Sequence, residues 1–509
     1  MSRDRTEPLI FEKSLPGHRG TDLPPVGVAE RDLAALLPGV ALRSDPPRLP
    51  ELGELEVVRH YTRLSHLNYS VDTGFYPLGS CTMKHNPKLN DEMAALPGFA
   101  DLHPYQSEAD VQGMLCLMYE TEQALLEITG MRRATLQPAA GAHGELTGIL
   151  MIKAYHRDHD GARRDTVIVP DSAHGTNLAT AVMAGYRVVE IPSSSRGLID
   201  LEVLRTHLSE RTAALMLTNP NTLGLFEEDI LEISRLVHEA GALCYYDGAN
   251  LNAIMGKARP GDMGMDVVHV NLHKTFSTPH GGGGPGSGPV AVSAVLEPYL
   301  PLPLVARSED GESYRFDYER PKSIGRVKGF YGNLGVVVRA YAYLLRMGAD
   351  GLTRASEDAV LNANYLRVRL SPFFPVAYDR SCMHEFVLSA KSRAQNGGTA
   401  LNFAKRILDF GMHAPTIYFP LIVPEALMVE PTETEDLHAL DSFVAVMERI
   451  DRELREEPDV VRQAPHTTPI RRPDETEAAR HPILRWSPSP GLACAGGGTN
   501  RPVRARRPH

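Results

Sequence analysis

The sequence predicts an α/β fold built on a mainly parallel sheet, followed by a smaller α+β domain. Two observations carry that prediction. From Gln112 onward, short apolar runs alternate with amphipathic stretches of helical length, the rhythm of strands joined by crossover helices. Several runs end in small, polar or charged residues, which places those residues at one edge of the sheet, where open α/β folds hold ligands.

Residues 1–111 are rich in Pro, Gly and Leu, with short helical pieces at 30–37 and 55–67, and read as an arm that packs on a partner. Within this arm, residues 74–84 form a loop carrying Ser80, Cys81, Thr82 and Lys84. Residues 112–332 read as the large domain. A helix is predicted over 112–129, a strand over 134–137, and a turn through Ala140, Gly141, Ala142, His143 and Gly144 into a helix over 145–156. Strand 166–169 ends in the turn that contains His174. Strands at 187–191, 213–217, 242–246 and 267–270 follow, with helices at 201–208 and 229–240, and a last strand at 289–293. After residue 332 the pattern changes. Helices at 334–347 and 357–370, short apolar runs at 385–388, 416–419 and 426–429, and a helix at 436–454 predict a separate domain over 333–456. Residues 457–509 form a Pro- and Arg-rich extension whose last part, from 487, has the composition of a disordered tail. No internal repeat is visible.

Bulk properties narrow the function classes. At 509 residues the chain can bury more than one core, and with 42% apolar and 23% charged residues it has a soluble globular composition. A net charge of −10 argues against a nucleic-acid binder. No apolar run reaches the roughly 18 residues of a membrane span, and the mixed-charge start lacks the apolar core of a secretory signal. The five cysteines are scattered, without a Cys-x-x-Cys pair, so neither a disulfide framework nor a zinc ribbon is predicted and a reducing cytoplasm is the expected location.

Chemistry concentrates at the predicted carboxyl edge. The β-branched run at Val267, Val268 and Val270 delivers His273 and Lys274 there, followed by four glycines, Gly281 to Gly284. A partly desolvated lysine at that place can form a Schiff base with a carbonyl cofactor. Alone it reads as well as a solvated lysine before a loose loop. Asp247 ends the preceding strand, and an amine and a carboxylate sharing one crevice fit pyridoxal 5'-phosphate, with Asp247 pairing with the ring nitrogen. The competing role for Asp247 is a turn or helix cap. The small residues from Ala140 to Gly144 let backbone approach a phosphate at a helix start, or serve packing only. A Walker-type loop is absent, since no Gly-Lys-Ser/Thr triplet precedes a helix. His174 can stack on a heteroaromatic ring, or simply cap a turn. No metal site is expected: His174 has no second ligand at suitable spacing, and His269 and His273 on an extended run lie roughly 13 Å apart.

Together these residues resemble the pyridoxal-phosphate P-protein family of glycine cleavage systems, and within it the second subunit of the two-subunit form. The resemblance is carried by Tyr76-Pro77-Leu78-Gly79-Ser80-Cys81-Thr82-Met83-Lys84, Gly141-Ala142-His143-Gly144-Glu145, Asp171-Ser172-Ala173-His174-Gly175-Thr176-Asn177 and Tyr246-Asp247-Gly248-Ala249-Asn250. It continues through Asn271-Leu272-His273-Lys274-Thr275-Phe276-Ser277 and Met428-Val429-Glu430-Pro431-Thr432-Glu433, and covers about residues 8–486.

The resemblance implies a fold type I, aspartate-aminotransferase-like architecture with a seven-stranded sheet. It implies a Schiff base on Lys274, catalytic roles for Lys274, Asp247 and His174, and a cofactor site that also includes Gly141, Ala142, His143, Ala249 and His273. The implied reaction is decarboxylation of glycine with transfer of the aminomethyl group to the lipoyl arm of an H-protein. The implied assembly is an α2β2 heterotetramer with a subunit 1, because single-chain members are roughly twice as long. Ala140 departs from the serine of many relatives, which puts a hydroxyl contact to phosphate there in doubt. Ser80, Thr82 and Lys84 fall near the crevice without an assigned role, and Cys81 reads as a structural thiol. Two other readings stand beside this one: another fold type I enzyme, such as an amino-acid decarboxylase or aminotransferase, and a catalytically silent partner subunit.

Overall fold

The structure is a computed structural model that describes residues 6–485 except 23, 46, 48 and 160–162; the expected disordered tail from 487 lies outside these. The chain divides into two compact units, residues 70–466 and residues 1–69 with 467–509. In the smaller unit, helix Glu54–Ser65 starts with the Glu56 carboxylate accepting from the Gly53 amide at 2.8 Å. On its inner side His60 is buried 3.1 Å from Glu7.

The arm expected over 1–111 is therefore divided, because residues 70–111 fold into the larger unit. Phe75 packs edge-on against Phe443 with ring centroids 5.1 Å apart, and Leu78 bridges Val429. Between them and the sheet, the fully buried Lys84 ammonium donates to Glu433 at 2.7 Å, Asn252 at 2.9 Å and Tyr343 at 3.4 Å.

Seven strands form the central sheet: β1 (Arg133–Thr135), β2 (Thr166–Pro170), β3 (Arg187–Ile191), β4 (Thr212–Thr218), β5 (Leu243–Gly248), β6 (Val267–Val270) and β7 (Val290–Val292). Their spatial order is β1-β7-β6-β5-β4-β2-β3. β3, β2, β4, β5 and β6 run parallel, whereas β7 is antiparallel to both β6 and β1. Every residue of β2, β5 and β6 is buried, as continuous apolar runs covered on both faces require. Helices Gly141–His159 and Gly175–Met183 pack near one another and against the sheet.

The boundaries of β3 and β6 are those predicted from β-branched composition. The helix expected to begin at residue 145 instead begins at Gly141, so the segment read as a turn is its first turn. A two-stranded hairpin, β8 (Leu304–Arg307) with β9 (Tyr314–Asp317), had no counterpart in the sequence reading.

The helical stretch Leu334–Leu370 breaks at Gly348, whose φ of 60° and ψ of −176° are non-helical, so the two helices read from the sequence are separate segments. Beyond it, β10 (Phe386–Ser389), β11 (Thr416–Ile417) and β12 (Ala426–Val429) form an antiparallel sheet in the order β10-β12-β11. Phe386, Phe403 and Phe443 are buried in the core shared with helices Ala400–Asp409 and Leu437–Glu456. Among the described residues, no helix is long and apolar enough to cross a membrane.

Candidate active site

A cleft of about 270 Å³ opens at the carboxyl edge of β4, β5 and β6, near the lower end of the ~300–1,000 Å³ typical of small-molecule sites. Strand register builds its floor. Thr218 of β4 lies beside Asp247 of β5, and Asp247 lies beside His269 of β6. Neighbouring residues on parallel strands point to the same face, so these three side chains form a row.

Asp247 is buried and well supplied with donors. Asn177 Nδ2 donates to Oδ2 at 2.9 Å, the Ala249 amide donates to Oδ1 at 3.0 Å, and His269 Nε2 lies 3.2 Å from Oδ1. Burial opposes its charge, but His269, His174 and these hydrogen bonds prevail and hold the carboxyl below its usual range. Asn177 also donates its second N–H to Glu145 Oε2 at 3.2 Å, and the Thr176 and Thr180 hydroxyls bond the same carboxylate at 2.6 and 3.1 Å. Two buried carboxylates thus share one amide, which fixes the helix Gly175–Met183 against the helix Gly141–His159.

His174 is the N-cap of Gly175–Met183, and its Nδ1 lies 2.8 Å from the Thr176 hydroxyl. It caps the helix, the second of the two roles considered for it, and it also lines the cleft. Burial pushes it toward the neutral form, against the pull of Asp247. His273 also lines the cleft, its Nδ1 accepting from the Ser287 amide at 3.3 Å, and burial with the neighbouring His280 and Lys274 lowers it to about 4.

Gly141, Ala142 and Ala249 line the cleft as expected residues, whereas His143 does not. Its ring turns back to accept from the Ala139 amide at 3.1 Å. At Gly141 a Cβ would sit 2.5 Å from the Asn271 side-chain oxygen, so any side chain there would have to displace Asn271. The first amides of a 19-residue helix have no partner within the helix and face this end of the cleft. The four glycines at 281–284 are exposed and do not line the cleft.

Lys274 sits in the short helix Leu272–Thr275 directly after β6, and its ammonium donates to the Ser80 carbonyl at 2.7 Å. The loop that brings Ser80 there is laid on β12. The Gly79 amide donates to Met428 O at 3.2 Å, and a Cβ on Gly79 would sit 2.3 Å from the Met428 side chain. Ser80 and Thr82 both have positive φ, 64° and 51°, a conformation costly for a β-branched threonine and characteristic of functional sites. The result is a backbone bridge: the Ser80 carbonyl accepts from Lys274 while its amide donates to Glu385 Oε2 at 2.7 Å. Cys81 beside it is a half-buried thiol raised by burial, with Lys274 opposing.

Lys274, Asp247 and His174 thus converge from three separate segments. Asn177, Glu145, His269 and Glu385 were missed by the sequence reading. Asn177 carried a usable signal, three residues after His174 in the helix it caps; Glu385 carried none.

Residues 147–283 match the family described as aminotransferase class-V, and residues 355–469 match the family described as glycine dehydrogenase, C-terminal domain. The chain is 60% identical over 479 residues to a probable glycine dehydrogenase (decarboxylating) subunit 2 from Caldanaerobacter subterraneus, covering 94% of this chain and 98% of that protein. It is 59% identical to the equivalent protein of Halalkalibacterium halodurans, covering 96% and 99%. Among solved structures it is similar to an inhibitor-bound glycine decarboxylase (P-protein) of the glycine cleavage system, with a TM-score of 0.69, 22% identity and coverage of 82% of this chain and 94% of that one. An aspartate aminotransferase from Thermus thermophilus superposes with a TM-score of 0.55 at 14% identity, covering 74% and 99%. These structural likenesses show the fold, that of fold type I pyridoxal-phosphate enzymes.

Proposed function

Because the chain belongs to the glycine dehydrogenase (decarboxylating) subunit 2 family, we propose that its cleft binds pyridoxal 5'-phosphate on Lys274 and decarboxylates glycine. The aminomethyl group that remains passes to the lipoyl disulfide of an H-protein. The observation that carries the reading is the convergence of Lys274 and the buried Asp247 on one cleft that also receives a helix N-terminus.

The residues present fit the cofactor. Gly141 and Ala142 open the helix Gly141–His159 and line the cleft with small residues only, so the backbone at the helix start is open to an anion. The amides of Gly141 and Ala142 would hold the phosphate, and Asp247 would keep a proton on the ring nitrogen. His174 would stack on the ring, and Ala249 and His273 complete the walls. His143 supports this end by fixing the Ala139 backbone. When bound, the cofactor supplies an electron sink for the pair released as the glycine carboxylate departs as CO2.

The chain's own groups do the rest. Asp247 stays charged because Asn177, Ala249 and His269 surround it. The neutral His273 and His174 add no competing positive charge beside Lys274. Subunit 1 in an α2β2 assembly, in the cytoplasm, is the proposed setting; the subunit 2 names of the relatives support the partner.

The test is a panel of amino acids offered to the complex with subunit 1, with and without lipoylated H-protein. CO2 release from glycine alone, dependent on H-protein, is expected. Turnover of another amino acid independent of H-protein would favour a different fold type I enzyme, and a complex without a bound chromophore would favour a silent subunit.

A further inference from the structure

We propose that Glu385 is the proton donor of this cleft: a carboxylic acid that protonates the sulfur released when the aminomethyl group is captured by the lipoyl disulfide. The inference rests on the function proposed above.

Glu385 lies just before β10 and Glu430 just after β12, and the antiparallel register that pairs Phe386 with Val429 brings the two side by side. Oxygens of both carboxyls and a ring nitrogen of His384 all lie within 4.8 Å of one another, and all three residues are buried. Their surroundings differ. Glu430 accepts from the Thr82 amide at 2.9 Å, the Thr82 hydroxyl at 2.7 Å and Asn250 Nδ2 at 2.7 Å, the donor set of an anion. Glu385 accepts one hydrogen bond, from the Ser80 amide to Oε2, while its Oε1 stands 3.8 Å from His384 Nε2, and its side chain lines the cleft.

Two buried carboxyls this close do not both ionise, and the proton stays on the one with fewer donors. Burial and then Glu430 push the Glu385 carboxyl well above its ordinary range, against the Ser80 amide and Lys274. The other ionisable groups facing it are the raised Cys81 thiol and His384, pushed by burial toward neutrality.

Elimination points the same way. Among the described residues lining the cleft, Lys274 is the one Lys or Arg, and it is committed to the cofactor. His174, His273 and His384 are all pushed toward the neutral form and hold no spare proton. Of the lining carboxyls, Glu145 accepts from Thr176, Asn177 and Thr180 and Asp247 from Asn177 and Ala249, so Glu385, with one donor, is left as the acid beside Lys274.

The step balances without an outside reductant. The substrate carbon, carrying the electron pair left by CO2, bonds to one sulfur; the S–S bond breaks with its pair on the other sulfur. The carbon is oxidised and the disulfide reduced. The free sulfur takes the Glu385 proton, and one proton taken up from solvent in each turnover restores the acid, while the proton that glycine's ammonium gives up on binding returns to the amine of the product.

The experiment uses the holoenzyme complex with subunit 1. Infrared spectra with carboxyl-labelled glutamate should show, near neutral pH, a protonated-carboxyl stretch in the wild type that E385Q lacks. In E430Q the band should titrate at lower pH. E385Q should keep the visible cofactor band and its response to glycine while transfer to H-protein falls by about 10²-fold to 10⁴-fold, with loss of one limb of the pH profile. A wild type without the band, or E385Q with the wild-type rate and profile, would overturn the proposal. If E385Q fails to load cofactor, the wild-type and E430Q titrations decide. A wild-type complex that releases no CO2 from glycine would overturn the functional reading itself, and the infrared band separates the two failures.

Discussion

Asp247 and His269 face each other across neighbouring parallel strands, with Nε2 3.2 Å from Oδ1 and both side chains buried. The contact gives Asp247 a reason to remain charged in the interior. A buried carboxylate without such neighbours would take up a proton and lose its grip on a ring nitrogen.

Asp247→Asn keeps the shape and removes the charge. A hydrogen bond to a charged group contributes about 1.5–3 kcal/mol, so affinity for pyridoxal phosphate should fall by roughly 10- to 100-fold. Spectrophotometric titration of the apo complex measures it. Unchanged affinity would remove Asp247 from the cofactor site.

Lys84 was expected near the crevice by resemblance, but its partners give it a supporting place. Its ammonium is enclosed by Glu433, Asn252 and Tyr343. Lys84→Met leaves the half-buried Glu433 without its cation, held only by Asn252 Nδ2 at 2.9 Å, and should destabilise the larger unit by up to about 3 kcal/mol. Lys84→Met with Glu433→Gln should recover part of that loss in denaturant unfolding. A single variant as stable as wild type would show that the pair is dispensable.

Glu227 provides a test by pH. It is buried, accepts from the Ile199 amide at 3.0 Å, and is pushed by burial up to about 7. A carboxyl raised from about 4.5 to about 7 holds more protons folded than unfolded within that window. Stability therefore falls as pH rises through the window and levels off above it. Glu227→Gln should remove this slope, changing the wild-type-minus-variant unfolding free energy by up to about 3 kcal/mol between about pH 5 and about pH 8. Parallel wild-type and variant curves would contradict the raised value.

Much of the fold was legible because local pattern and tertiary environment agree. The run at Val267–Val270 is β-branched because it is buried on both faces, and the strand falls where composition placed it. Lys274 and Asp247 were legible because each directly follows or ends such a strand. The start at Gly141 was not, because glycine is a poor helix former and the run Gly141-Ala142-His143-Gly144 has the composition of a turn. The pairing of Glu385 with Glu430, and of Lys84 with Glu433, joins residues far apart in sequence. Those pairs depend on the register of β10 with β12 and on a loop held at positive φ, neither of which leaves a periodic trace.

The central claim is that Lys274 holds the cofactor. Borohydride reduction of the co-purified complex, followed by peptide mapping, tests it most directly. The account predicts loss of the visible absorption band and a single pyridoxyl modification on the peptide containing Lys274, with both absent in Lys274→Ala. A modification mapping to another lysine, or an unmodified chain in a coloured complex, would contradict it.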